Sequence, residues 1–152
     1  MIRIVTESMS DFTQEEAKAA DLIVMPLPIR FGMEEYWDDG VSLTQDDFYA
    51  RLRVAKELPK TSQVPVEHYR KCFNRLLENP EDEVLVITGS SKLSGCYQSA
   101  CIAREACHDP ARVTVLDSLN ATSRSTCSSI RRCAIAARVS AICRPCWRSC
   151  AT

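Results

Sequence analysis

No stretch of this chain approaches the run of about eighteen apolar residues that a membrane-spanning helix needs, and Arg3, Glu7 and Asp11 interrupt its start. Neither a transmembrane helix nor a secretory signal peptide is expected, and the chain reads as a cytoplasmic protein with no stable membrane insertion. A basic excess is missing too: 19 Lys and Arg stand against 20 Asp and Glu, for a net charge of -1. Duplex-binding proteins usually carry such an excess, so no nucleic-acid partner is expected. Imidazoles are scarce, with His68 and His108 the only two.

What the chain does have is 45% hydrophobic and 26% charged residues over 152 positions. That is a globular composition with material for one ordinary core. The near-neutral balance conceals a split: up to Thr122 the net charge is -7, whereas residues 123–152 hold six arginines, no lysine and no acid. Cysteine divides in the same way. Cys72, Cys96, Cys101 and Cys107 are spread among apolar patterns, while Cys127, Cys133, Cys143, Cys146 and Cys150 crowd the end. Two kinds of sequence meet near Thr122.

Within residues 1–122 the apolar pattern is that of an α/β protein. Residues 2–6 are a short β-branched run suited to a buried strand. Thr13 and Glu16 have capping-box spacing for a helix over 14–20. The apolar stretch 22–31 contains Pro26 and Pro28, which restrict it to an edge or interrupted strand. Residues 32–40 read as a hairpin or loop, and Thr44 caps a helix carrying Phe48, Leu52 and Ala55 on one face. Residues 60–63 read as a polar loop, followed by a helix with Tyr69, Phe73, Leu76 and Leu77 as its stripe. Residues 83–88 are apolar without alternation, as expected where helices cover both faces of a sheet. A loop through Ser94 and Gly95, a helix over 97–107 and a strand over 113–116 complete an α/β plan: a mostly parallel sheet with helices on both faces.

Three of these strands end in small polar residues: Thr6-Glu7-Ser8, Ser90-Ser91 and Asp117-Ser118. In a parallel sheet those clusters share one edge, where ligands of α/β proteins bind. The loop through Ser94 and Gly95 would enter its helix from that edge, offering free N–H groups and a partial positive charge to a carboxylate or phosphate. Each piece taken singly is also an ordinary cap or turn former.

The stretches IRIVTESMSDF, DDGVSLTQDDFYARL, LPKTSQVP, VLVITGSSKLSGCYQSA and VTVLDSLNAT, in this order, closely resemble the N-terminal domain of the DegV family, bacterial cytoplasmic proteins that bind a long-chain fatty acid. The resemblance implies a carboxylate held by hydroxyls of the TSQ and LSG loops and an acyl tail buried between two domains. Thr61 and Ser94 match the carboxylate-binding hydroxyls, with Ser62 and Gly95 flanking them. It also implies that such a carrier presents its fatty acid to the catalytic subunit of a fatty acid kinase and is not itself an enzyme. No cofactor or metal is expected.

The chain departs from the family pattern with Glu7 in place of Asp, Val64 in place of Pro and Cys96 in place of Thr. At a helix N-terminus, Cys96 also admits an alternative, a small enzyme using a thiol nucleophile with a lowered pKa. His68 and His108 are its only available imidazole partners.

The quoted motifs carry the resemblance from Ile2 to about Thr122, and residues 123–152 are read separately. Cys143 and Cys146 have Cys-x-x-Cys spacing, and Cys150 adds a third thiol, but Cys127 and Cys133 do not form the second close pair of a structural zinc site. A shifted reading frame accounts for them better: cysteine and tryptophan codons begin TG, so borrowing the preceding base turns Cys127, Cys133, Cys143, Cys146, Trp147 and Cys150 into aliphatic residues or Met. The expectation is a DegV-like domain over 1–122, an out-of-frame tail over 123–152 and no second domain, leaving either impaired lipid binding or a non-functional fragment.

Overall fold

The computed structural model describes residues 1–120; the tail and its cysteines lie outside the described residues. Seven strands and four α-helices follow one another: β1 (Ile2–Glu7), α1 (Gln14–Ala19), β2 (Leu22–Met25), β3 (Pro28–Phe31), β4 (Glu34–Trp37), α2 (Gln45–Val54), β5 (Lys60–Thr61), α3 (Val66–Leu76), β6 (Glu83–Thr88), α4 (Cys96–Glu105) and β7 (Val113–Asp117). Single 3-10 turns occupy Ser8–Ser10 and Pro110–Arg112.

The main sheet has the order β2-β1-β6-β7, and every pairing in it is parallel. β1 and β6 are central, which is why their apolar residues run without alternation: Val5, Val84 and Val86 face one side, Ile4, Leu85 and Ile87 the other, and all are buried. α3 and α4 cover the first face, with Tyr69, Phe73, Cys96, Ala100 and Ala103 fully buried against the valines. α1 covers the second through Ala17. Full burial of each such valine or phenylalanine contributes about 1.5–3 kcal/mol. The α/β plan with helices on both faces is the architecture observed.

Local signals account for the helix starts. Thr13 and Glu16 form a reciprocal capping box at α1, and the Thr44 hydroxyl accepts the Asp47 N–H at 3.2 Å to open α2. No residue of α2 is buried, so its face of Phe48, Leu52 and Ala55 is only half covered.

One stretch follows the sequence expectation of an edge or interrupted strand, and another departs from its expected loop. The stretch over 22–31 divides into β2, at the edge of the parallel sheet, and β3, which joins a second, antiparallel sheet ordered β4-β3-β5. Pro26 and Pro28 flank the break between them. Residues 60–61 are not loop but the short strand β5, with Thr61 opposite Ile29 and Lys60 opposite Arg30. Both β5 side chains are exposed, so only backbone pairing holds this strand and no apolar pattern marks it.

Candidate functional site

Because β1, β6 and β7 are parallel, Glu7, Thr88 and Asp117 end at one edge of the sheet. The loop leaving β6 is pinned there by its own backbone. Gly89 N–H donates to Glu7 Oε2 at 2.8 Å, Ser91 N–H is shared between both Asp117 carboxylate oxygens at 3.2 Å, and Ser90 N–H donates to the Asn120 carbonyl at 3.0 Å. Partial burial works to raise the Asp117 carboxyl, but the hydrogen bonds from Ser91 and Leu119 outweigh it and hold the group below its ordinary value. The loop then turns back as Leu93 and Ser94 N–H groups both donate to the Ser90 carbonyl at 3.0 Å.

This turn delivers Ser94 and Gly95, both half-buried, to the start of α4. Ser94 Oγ accepts the Cys96 N–H at 3.2 Å, which fixes the hydroxyl beside the first turn of the helix. The N–H groups of that turn carry the partial positive charge of a helix N-terminus.

The TSQ segment reaches the same place from the second sheet. Thr61 ends β5, Ser62 N–H donates to the Pro28 carbonyl at 3.2 Å, and all three residues 61–63 are exposed. Val64, fully buried, plugs the segment into the core just before α3. The two loops meet at Gln63 and Gly95: a Cβ added to Gly95 would lie 1.9 Å from Gln63 Oε1. The structure thus brings the Thr61–Ser62 and Ser94–Gly95 segments together, a pairing mediated by Gln63, which residue type and spacing did not single out. An open groove of about 450 Å³ lined by Phe31, Arg51, Val54 and Lys56 contains none of these residues.

Beneath the loops lies a buried polar cluster. Glu7 is 1% exposed; its Oε1 accepts the Tyr69 hydroxyl at 2.6 Å while Oε2 takes the Gly89 N–H. Burial raises the Glu7 carboxyl above its ordinary value despite these two donors, and the Asp117 charge adds to the rise. Burial, followed by the Glu7 charge, pushes the Tyr69 phenol far up.

Cys96 completes the cluster and is fully buried. Burial raises its thiol, the Glu7 charge raises it further, and hydrogen bonds involving Ser94, Val64 and Tyr69 recover only part of the shift. An activated thiolate needs an electropositive, accessible setting, so this environment is the reverse of a nucleophile's. The His68 ring packs on Trp37 at 4.8 Å between centroids, and His108 lies past the far end of α4. The described residues contain no group of three or more potential metal ligands and no helix long and apolar enough to cross a membrane.

The domain is of the α/β class, with the LSG loop at the carboxyl edge of the parallel sheet and the TSQ segment meeting it from the second sheet; that edge is where ligands of such sheets generally bind. Residues 1–137 match the family described as "Uncharacterised protein, DegV family", and the chain belongs to the DegV family. It is 39% identical over 121 residues to a DegV domain-containing protein of Caldanaerobacter subterraneus, an alignment covering 80% of this chain and 42% of that one. Its fold superposes on a Thermotoga maritima protein, described as revealing a fatty acid binding function, with a TM-score of 0.78 and 32% identity over 88% of this chain and 48% of that one. A stearic acid-binding protein of Eubacterium ventriosum gives a TM-score of 0.77 and 30% identity, covering 87% and 47%. The chain spans about half the length of these relatives.

Proposed function

We propose that this chain binds a long-chain fatty acid by its carboxylate, with the Thr61 and Ser94 hydroxyls as donors and Ser62 and Gly95 flanking them. The observation that carries the reading is the contact of Gln63 with Gly95, which sets the two hydroxyl loops against the start of one helix at the carboxyl edge of a parallel sheet. Neutral donors and a helix N-terminus satisfy an anionic head without an ion pair. A head held this way stays open to a second protein, which fits a carrier that presents its fatty acid to a kinase catalytic subunit in the cytoplasm. Catalysis then belongs to the partner, consistent with the raised Cys96 thiol.

Native mass spectrometry tests the proposal. Delipidated protein incubated with oleate should regain an acyl adduct, and Ser94→Ala and Thr61→Ala should each retain less of it. Absence of any acyl adduct across pH and oleate concentration overturns the reading.

A further inference from the structure

One carboxylate is shared by both halves of the site. Tyr69 lies one turn into α3, the helix that starts directly after the TSQ segment and Val64; Gly89 opens the loop that leads to Ser94. Glu7, at the end of β1, accepts a hydrogen bond from each, across 62 and 82 residues of chain. Among the described residues no Lys or Arg forms an ion pair with it. A carboxylate buried without a cation is costly, and an apolar side chain of similar volume would fill the space at less cost. What an apolar replacement cannot do is hold two donors from separate elements at fixed distances.

We propose that Glu7 and Tyr69 are positioning residues for the head-group site, setting the TSQ-bearing and LSG-bearing segments in register so that Thr61 and Ser94 address the same carboxylate. The inference rests on the fatty-acid reading above. Glu7 touches no ligand in this scheme; it acts through Tyr69 on α3 and through Gly89 on the loop. The loop is confined from a second side as well, since a Cβ on Gly89 would lie 2.2 Å from Met9 Cε.

Comparing two ligands that differ only in the head separates positioning from general support of the fold. Binding of oleate and of oleyl alcohol is measured by calorimetry on the full chain and on its Glu7→Gln and Tyr69→Phe variants. Each variant should bind oleate about tenfold more weakly, the scale of one hydrogen bond to a charged group, while oleyl alcohol binding is unchanged. The double variant should be no weaker than the weaker single one, because both changes break the same link. Equal losses for acid and alcohol overturn the inference, as does unchanged oleate binding by variants of a wild type that binds oleate. A wild type that binds no oleate overturns the fatty-acid reading and the inference with it. If a variant does not fold, hydrogen exchange on the wild type decides. Oleate should slow exchange over residues 61–64 and 89–96 together, and slowing of one segment alone overturns the coupling.

Discussion

The Gln63 side chain rests on Gly95 where any other residue would place its Cβ, at 1.9 Å from Oε1 and 2.7 Å from Cδ. Gly95 has φ of -78°, a value open to any residue, so the glycine is required by this neighbour and not by its backbone. Gln63 is exposed and its amide is the far end of a flexible side chain. Gly95→Ala should therefore be cheap in stability, within about 1 kcal/mol, because the amide can swing aside. The cost should fall on binding, since displacing Gln63 opens the junction between the loops. Urea unfolding alongside oleate retention checks this; a loss of stability equal to the loss of binding would show that the contact supports the fold instead.

Elements whose cause is local could be read directly from the sequence. The capping box of Thr13 and Glu16 is complete within four residues, and the unbroken apolar run of β6 reports burial on both faces wherever its neighbours lie. β5 could not be read, because its exposed Lys60 and Thr61 have only backbone partners supplied by β3. The site divides along the same line. Hydroxyl and glycine positions at strand ends suggested an anion site, and motif resemblance indicated which of them to choose. The contact of Gln63 with Gly95 spans thirty-two positions and leaves no periodic trace. Glu7 after a strand reads as the start of a polar loop and Tyr69 as one more apolar stripe position; only the folded chain makes them a buried pair.

Thiol chemistry offers an independent check on the cluster around Cys96. Of the four described cysteines, Cys72, Cys96 and Cys107 are buried and Cys101 is only partly so. Burial raises the thiols of Cys72 and Cys96, and Cys96 has the Glu7 charge beside it as well. Brief iodoacetamide treatment at neutral pH, followed by peptide mass mapping, should label Cys101 first and Cys96 slowly. Reactivity should become uniform among these four in denaturant. Faster labelling of Cys96 than of Cys101 in the folded protein would restore the nucleophile reading.

Glu7 should also leave a signature in the pH dependence of stability, opposite in sign to that of the paired aspartates. Burial raises its folded-state carboxyl above the ordinary 4.5, so the folded protein keeps this proton to higher pH than the unfolded chain does. The stability it contributes is full below the unfolded value and is lost as pH rises through the folded one. Asp82, lowered by its hydrogen bond from the N-terminal amine, and Asp109, lowered by that from Arg112, act the other way and lose their contributions on acidification. Both aspartates are present in wild type and in Glu7→Gln, so subtracting the two unfolding free energies leaves the Glu7 contribution. That difference should favour the wild type most below the ordinary 4.5 and decline as pH rises above it. A difference that instead grows with pH would mean that the Tyr69 and Gly89 hydrogen bonds outweigh desolvation, making Glu7 a favourably ionised anchor.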